Sequence, residues 1–284
     1  MSWKSPHQRP LPRWQESPLL MGILNVTPDS FSDGGLAYSP EAAGDRAEQL
    51  VAEGADILDL GAESTRPGAT SVDAATELSR LLPAIAALRR RLPSIPISID
   101  TYKSEVARAC IEAGADVIND VEGGAHEADE AGSPMARTCA RLGCPLILMH
   151  RRKEANYKDF WAEILGETRL MLQRARDAGI APEQLWIDPG FGFGKTPAQN
   201  LQIVRDLAKF ATLGHPVLLG PSRKSTLGLV LNQPDPLRRH DATAATCVWG
   251  LAQGAAMVRV HDVARIKPFL TVAKALRQGS GWMG

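Results

Sequence analysis

The segment Glu53-Gly-Ala-Asp-Ile-Leu-Asp-Leu-Gly61 ends a polar, helix-like stretch at a glycine and then passes directly into a short apolar run. The segment Glu112-Ala-Gly-Ala-Asp-Val-Ile-Asn-Asp120 repeats this arrangement later in the chain. A glycine stop before a nearly continuous apolar run is typical of a helix followed by a strand that is buried on both faces. The two segments therefore predict a parallel sheet covered by helices.

The same alternation continues from Ser17 almost to the end of the chain. Eight apolar runs are predicted as strands, at residues 19–25, 57–61, 95–100, 117–120, 145–150, 185–188, 216–220 and 257–261. Amphipathic stretches between them are predicted as helices, at 40–53, 74–92, 104–113, 133–142, 160–178, 197–213, 240–253 and from 263 onward. Because no linker divides the chain, the pattern predicts a single-domain (β/α)₈ TIM barrel over residues 18–284 rather than a two-domain doubly wound sheet.

Composition excludes several other classes of protein. The chain has 284 residues, of which 44% are hydrophobic, so it can bury a full core. Lys and Arg together number 32, and so do Asp and Glu, which leaves no basic excess for nucleic acid. No apolar run reaches the roughly 18 residues that a membrane helix needs. The four cysteines form no C-x-x-C motif, so we expect reduced thiols and a cytoplasmic protein.

The first 17 residues differ from the rest of the chain. They are rich in proline and polar residues and contain no apolar core of the kind that a signal peptide has. We therefore expect residues 1–17 to form a flexible tail.

Polar side chains recur at the carboxyl end of the predicted strands. They are Asn25, Asp59, Asp100, Asn119, Asp120, His150, Asp188, the turn Ser222-Arg-Lys224, Arg259 and His261. Any one of them fits a turn or a helix cap, but the whole set fits the face of a barrel on which active sites lie. The set contains cations, to which Arg66 on a loop adds another, and it also contains amides and carboxylates. This mixture predicts a ligand that is both anionic and polar. No Ser-His-Asp order or closed zinc spacing is present.

The glycine-rich segment Pro189-Gly-Phe-Gly-Phe-Gly-Lys-Thr196 has some likeness to a nucleotide-binding P-loop. Pro189 replaces the first glycine of that motif, and Pro197 follows its Lys-Thr pair. We therefore predict a loop that covers a ligand rather than a triphosphate site.

Two long motifs, Met21-Gly-Ile-Leu-Asn-Val-Thr-Pro-Asp-Ser-Phe-Ser-Asp-Gly-Gly35 and Asp59-Leu-Gly-Ala-Glu-Ser-Thr-Arg-Pro-Gly68, resemble the signatures of dihydropteroate synthases. Shorter matches follow in the same order at 98–103, 118–120, 148–150, 188–195, 222–225 and 259–263. The resemblance spans residues 19–275. It implies a TIM barrel that condenses 6-hydroxymethyl-7,8-dihydropterin diphosphate with 4-aminobenzoate, with Mg²⁺ as cofactor. The products are 7,8-dihydropteroate, a folate precursor, and pyrophosphate, and sulfonamides compete with the aminobenzoate.

The resemblance also implies a role for each site residue. Asp100, Asn119 and Asp188 would bind the pyrimidinone edge of the pterin, Lys224 its ring oxygen and nitrogen, and Met149 and Phe193 its faces. The leaving diphosphate would meet Arg66 and the motif Arg259-Val260-His261, with Thr65 nearby, while Asn25 would hold Mg²⁺ and Ser225 the aminobenzoate carboxylate. Asn25, Arg66, Lys224, Arg259 and His261 would be catalytic, because cations stabilise a departing diphosphate.

Several alternatives stay open at the level of the sequence. The basic loop 151–158, Ala62, Glu122 and Pro221 depart from the family pattern. A corrinoid-linked pterin-binding methyltransferase and a non-catalytic paralogue would keep the pterin ligands. Arg259 would be purely structural if it paired with a barrel carboxylate such as Asp59. The Ala- and Gly-rich stretch 242–256 fits close packing within one chain or against a second copy, and we expect a homodimer.

Overall fold

The computed structural model describes residues 3–27, 39–63, 71–130 and 132–279. Within these ranges eight strands form one parallel sheet: β1 Leu19–Asn25, β2 Ile57–Gly61, β3 Ile97–Asp100, β4 Val117–Asp120, β5 Leu146–Met149, β6 Leu185–Asp188, β7 Leu218–Leu219 and β8 Met257–Val260. Helices in the same ranges are α1 Pro40–Ala52, α2 Ala74–Arg91, α3 Ser104–Glu112, α4 Pro134–Leu142, α5 Phe160–Asp177, α6 Pro197–Arg205, α7 Ser225–Val230, α8 His240–Ala252 and α9 Val263–Gln278. None of these helices is both long and apolar enough to cross a membrane.

The sheet closes into a barrel at a narrow seam. Its hydrogen-bonded order is β6-β5-β4-β3-β2-β1-β8-β7. A parallel bridge between Ile187 and Val217 joins the two edge strands, and Ile187 N donates to Pro216 O at 3.0 Å. The predicted (β/α)₈ fold is therefore confirmed. The spacing of the strands and helices in the sequence also predicts long loops at 26–37 and 62–72, and most of both lies outside the described residues.

Most predicted boundaries agree with the structure to within two residues, and one helix differs. The stretch 197–213, predicted as a single helix, ends as an α-helix at Arg205 and continues as a 3-10 segment, Leu207–Leu213. Asp206 separates the two because its backbone leaves the helical region, with φ −113° and ψ 27°.

Strand alternation gives the barrel interior an apolar base and a polar mouth. Residues two apart on a strand face the same side. The base contains buried apolar side chains, namely Met21, Ile57, Val117, Ile147, Trp186 and Met257. On β2, β4, β5, β6 and β8, the residue two positions after this apolar side chain lies on the same side of the strand. These residues are Asp59, Asn119, Met149, Asp188 and Arg259. The same alternation that builds the core thus directs a ring of mostly polar side chains into the carboxyl-terminal mouth.

The structure corrects the prediction of a flexible tail over residues 1–17. Residues 3–17 instead cover the amino-terminal end of the barrel. Trp3 is only 4% exposed, and its ring centroid lies 4.5 Å from that of Trp186, while Trp14 packs at 6.0 Å on the same ring. The proline-rich composition suggested a flexible segment. Two tryptophans nevertheless bury enough apolar surface to order a short segment.

Polar contacts fix the same segment at two further points. Ser5 Oγ donates to Asp116 Oδ1 at 2.5 Å. The Lys4 backbone N–H donates to Gln184 Oε1 at 2.7 Å, and the Lys4 carbonyl accepts from Gln184 Nε2 at 3.0 Å. Asp116 also binds Arg89 at 2.6 Å, so this buried carboxylate is well compensated.

Candidate active site

The carboxyl ends of neighbouring strands bring four of the predicted ligand residues together. Asp100 pairs in register with Asn119 across β3 and β4, and Met149 pairs with Asp188 across β5 and β6. All four side chains are buried. Because parallel strands end at one rim, these residues line the mouth of the barrel, where TIM-barrel active sites lie.

Arg259 lies at the centre of a buried cluster of charges. Its Nε donates to Asp59 Oδ2 at 2.5 Å, and its Nη2 donates to Asp100 Oδ2 at 2.6 Å. Asn119 Nδ2 donates to the same Asp59 oxygen at 3.1 Å. Burial disfavours the charge on Arg259, but the carboxylates of Asp59 and Asp100 outweigh it and raise the Arg259 pKa. Burial raises the pKa of Asp100 to about 7, against the opposing effect of Arg259.

Three acceptor oxygens of this cluster are left without a donor. Among the described residues, Asp59 Oδ1, Asp100 Oδ1 and Asn119 Oδ1 are buried and make no hydrogen bond. An unsatisfied buried polar group costs about 1–3 kcal/mol, so native proteins rarely keep three in one place. The arrangement therefore fits a ligand that brings its own N–H donors.

Asp188 and Lys224 add a carboxylate and an ammonium to the same mouth. Asp188 Oδ1 accepts from Gly190 N at 2.7 Å, and burial raises the Asp188 pKa. Burial lowers the pKa of Lys224 to about 8, helped by Arg259 and opposed by Asp188 and Asp100. Lys224 Nζ lies 3.9 Å from the centre of the Phe193 ring. Phe193 thus supplies an apolar wall beside a cation that also faces both carboxylates.

His261 shares the inner side of its strand end with Arg259 and is oriented by Ser222. The His261 backbone N–H donates to Ser222 Oγ at 3.1 Å, and that oxygen lies 2.9 Å from His261 Nδ1. Ser222 Oγ therefore contacts both the backbone and the imidazole ring of His261 and fixes the orientation of the ring. Val260 lies between them on the opposite side, fully buried among the helices. Strand alternation therefore leaves only the backbone of Val260 available to a ligand in the mouth.

The remaining predicted residues are placed less completely. Thr65 and Arg66 lie outside the described residues. Asn25 ends β1, and a Cβ on Gly61 would lie 3.7 Å from Asn25 Oδ1 and 3.5 Å from Asp100 Cβ. Ser225 is the exposed first residue of α7, directly after Lys224.

Two residues of the mouth, Asp59 and Ser222, received no role in substrate binding from the sequence, although Asp59 was considered as a partner of Arg259 and does pair with it. Asp59 stands between Leu58 and Leu60 in a fully buried strand, two residues after the inward-facing Ile57. That position is a usable signal, because a charge in a buried strand needs a partner. Ser222 gave no comparable signal, since its partner His261 is 39 residues away.

A parallel barrel with buried acceptors and cations at its mouth defines an enzyme that binds a polar, planar and anionic ligand. The family model described as "Pterin binding enzyme" matches residues 21–261. The chain therefore belongs to the pterin-binding enzyme family.

Within that family, the chain is similar to dihydropteroate synthases. The Synechocystis enzyme of that name is 45% identical over 271 residues, covering 93% of this chain and 91% of the relative. A Clostridium difficile dihydropteroate synthase, solved in the presence of pteroic acid, has 41% identity and a TM-score of 0.86, covering 92% of this chain and 97% of that one. The Xanthomonas albilineans enzyme with 4-aminobenzoic acid has 42% identity and a TM-score of 0.86, covering 92% and 93%.

Proposed function

We propose that this chain is a dihydropteroate synthase, which joins 6-hydroxymethyl-7,8-dihydropterin diphosphate to 4-aminobenzoate and releases pyrophosphate. The observation that carries the proposal is the set of unpartnered buried acceptors, Asp59 Oδ1, Asp100 Oδ1 and Asn119 Oδ1. The pyrimidinone edge of a dihydropterin presents N–H donors, which carboxylate and amide oxygens accept. Relatives that are similar over most of the chain bear this name.

The pterin would lie flat across the mouth of the barrel. Asp100, Asn119 and Asp188 would accept from its N–H groups, and Lys224 would donate to its ring oxygen and nitrogen. Met149 at the end of β5 and the Phe193 ring would contact its apolar faces. Four polar groups that converge with little exposure give orientation as well as affinity.

Catalysis would depend on stabilising the departing diphosphate. The new C–N bond forms at the pterin methylene as its C–O bond to the diphosphate breaks, and the diphosphate leaves with the electron pair. The aromatic amine is neutral at pH 7 and releases its proton to water, so no general base is required. His261, with Arg259 and Arg66, would donate to the developing negative charge, which is the largest usual catalytic contribution.

Magnesium fits this mouth as a partner of the diphosphate. Mg²⁺ keeps several waters and commonly binds through one or two protein oxygens plus substrate phosphates. Asn25 Oδ1 is such an oxygen, at the rim and beside the Asp100 side chain. The described residues hold no group of three His, Cys, Asp or Glu side chains that would cage a metal by themselves. Asn25 would hold the ion, which supplies positive charge to the leaving group when bound.

The 4-aminobenzoate would lie towards the outside of the mouth. Its carboxylate would meet Ser225 at the start of α7, with Thr65 nearby, and sulfonamides would compete for this place. The substrates are small molecules of the cytoplasm, and the four free, buried cysteines fit that reducing compartment.

The pterin assignment is tested by calorimetric titration with 6-hydroxymethylpterin, which lacks the diphosphate. Asp188→Asn keeps the shape of the side chain but removes an acceptor from a buried donor, so binding should weaken about tenfold to a hundredfold. Asp241→Asn, on the outer helix α8, is the matched control and should bind like the parent. Unchanged affinity in Asp188→Asn would mean that the pterin does not bind there.

We also propose that the protein is a homodimer that packs through α8 and α9. These helices expose large apolar side chains, namely Trp249, Phe269, Val272 and Leu276, with exposures between 46% and 75%. The inner face of α8, including Ala244 and Cys247, is already buried within the chain. Sedimentation equilibrium should show a dimer for the parent and a monomer for Val272→Asp; a parent that is monomeric at tens of micromolar would exclude the proposal.

A further inference from the structure

A buried ammonium that the proposed reaction does not use lies behind the pterin pocket. Lys195 is 8% exposed. Its Nζ lies 3.2 Å from His150 Nδ1, 3.2 Å from the His150 carbonyl oxygen and 2.9 Å from the Phe193 carbonyl oxygen. An ammonium has three N–H donors, so these three acceptors use all of them. Two of the acceptors are backbone carbonyls, one after β5 and one in the loop that carries Phe193.

The state of the His150 ring follows from its other neighbour. Nε2 lies 2.9 Å from Glu167 Oε2, and an ionised carboxylate can only accept. Burial and the charge of Lys195 lower the pKa of His150 to about 4, so the ring is neutral at pH 7. We therefore assign the proton to Nε2, which leaves Nδ1 to accept from Lys195. Arg152 Nε donates to the same Glu167 oxygen at 3.1 Å. The polar chain thus runs from Arg152 on the surface, through Glu167 and His150, to Lys195.

The backbone of the loop is pressed against the segment that follows β5. Gly190 and Gly194 have positive φ angles of 71° and 59°. A Cβ on Gly190 would collide with the His150 carbonyl oxygen, and one on Gly194 would collide with the Arg152 carbonyl oxygen. Side chains are thus excluded on steric grounds from both places where the segments touch. Lys195 joins the same two segments through its hydrogen bonds to the carbonyl oxygens of His150 and Phe193, and we call this connection the Lys195 tie.

We propose that Lys195 is a positioning residue for pterin binding, which holds the Phe193 ring against Lys224 without touching substrate. A methionine would fill the same space without the cost of burying a charge, so the ammonium is explained by the two carbonyls that it joins. Because Phe193 forms one wall of the pocket, freeing the loop would enlarge the pocket on that side. The inference rests on the proposed function, since it assumes that a pterin occupies this mouth.

The first test is steady-state kinetics of Lys195→Met with both substrates. Losing charge-assisted hydrogen bonds should raise KM for dihydropterin diphosphate about tenfold to a hundredfold. KM for 4-aminobenzoate should stay within about twofold, because Ser225, the proposed contact of its carboxylate, is not among the hydrogen-bond partners of the Lys195 ammonium. Lys209→Met, at an exposed lysine on the 3-10 segment after α6, is the matched control and should match the parent. Equal rises in both KM values, or a loss of kcat alone, would overturn the proposal.

A double-mutant cycle tests whether Lys195 acts through Phe193. In a Phe193→Ala background, Lys195→Met should change KM for dihydropterin diphosphate less than about twofold, because the wall that it positions is gone. If the full effect persists in that background, Lys195 does not act through Phe193 and the proposal fails.

A second variant covers the case in which Lys195→Met does not fold. Glu167 is 39% exposed, and Arg152 keeps its 2.6 Å contact with Glu163 when Glu167 is removed. Glu167→Ala should raise KM for dihydropterin diphosphate about threefold to tenfold, through the loss of one hydrogen bond to His150. An unchanged KM would also overturn the proposal. A parent enzyme without turnover would instead refute the proposed function, so the two failures are distinguishable.

Discussion

Arg259→Ala should damage the fold and both halves of the substrate site together. The guanidinium bridges two buried carboxylates, at 2.5 Å to Asp59 and 2.6 Å to Asp100. Its removal leaves two buried carboxylates without the guanidinium that contacts both of them. Asp100 is itself a proposed pterin ligand, so its loss of position should also weaken pterin binding. Arg259 therefore pairs with barrel carboxylates in the structure, and we propose that the same side chain also faces the diphosphate.

The size of the effect follows from the burial of the pair. Removing one partner of a buried ion pair costs about 3–5 kcal/mol. An unfolding entropy of about 2.1 cal/mol/K per residue gives about 0.6 kcal/mol/K for this chain. The melting temperature should therefore fall by about 5–8 °C. Affinity for pyrophosphate should fall about tenfold to a hundredfold, from the loss of charge-assisted hydrogen bonds.

The pH dependence of the melting temperature distinguishes the effect of uncompensated buried charges from the effect of lost packing. Burial already raises the pKa of Asp100 to about 7 beside Arg259, above its unfolded value, and removal of the cation raises it further. The penalty is then fully present at high pH and is relieved as the pH falls and the carboxyls take up protons. Calorimetric melting at pH 8 and pH 5.5 should show the larger loss at pH 8. Asp59→Asn in the Arg259→Ala background should recover part of the stability. A variant that melts within 1 °C of the parent at both pH values would refute this reasoning.

Three further outcomes are expected. Trp3→Ala should lower the free energy of unfolding by on the order of 3 kcal/mol in denaturant titrations and leave kcat unchanged, because the segment packs at the end of the barrel opposite the mouth. Burial lowers the pKa of Lys195 to about 7 and that of Lys224 to about 8. Because both lysines lose their charge above these values, kcat/KM for dihydropterin diphosphate should decline between pH 7 and 9. Lys224→Arg should remove the part of this decline that lies near pH 8. A profile that stays flat to pH 10 would contradict these shifts. Asn25→Ala should raise the Mg²⁺ concentration for half-maximal turnover about tenfold, and an unchanged value would remove Asn25 from the metal site.

The fold could be predicted because its signals are local. A glycine stop followed by an apolar run, as at Gly54 and Gly114, specifies where a helix ends and a buried strand begins. Once the strands are parallel, the position of a residue along its strand determines which end of the barrel it reaches. This position was sufficient to place three residues at one mouth of the barrel, namely Asp100, Asn119 and Asp188.

The unpredicted parts depend on contacts between distant segments. Trp3 is buried because Trp186, far along the chain, offers a ring at the base of the barrel. Proline-rich composition describes the backbone of that segment and says nothing about such a partner. Val260 shares a motif with Arg259 and His261, although strand alternation places its side chain in the core and theirs at the mouth. Lys195 donates hydrogen bonds to the backbone carbonyls of His150 and Phe193. Every residue has a backbone carbonyl, so the sequence does not indicate which ones a lysine will contact.

The most direct test of the central claim is pyrophosphate release by the purified protein supplied with 6-hydroxymethyl-7,8-dihydropterin diphosphate and Mg²⁺. Release should be negligible without 4-aminobenzoate. With it, release should proceed with one 7,8-dihydropteroate formed per pyrophosphate. A pterin-binding methyltransferase or a non-catalytic paralogue would release none under either condition, and that result would contradict the account.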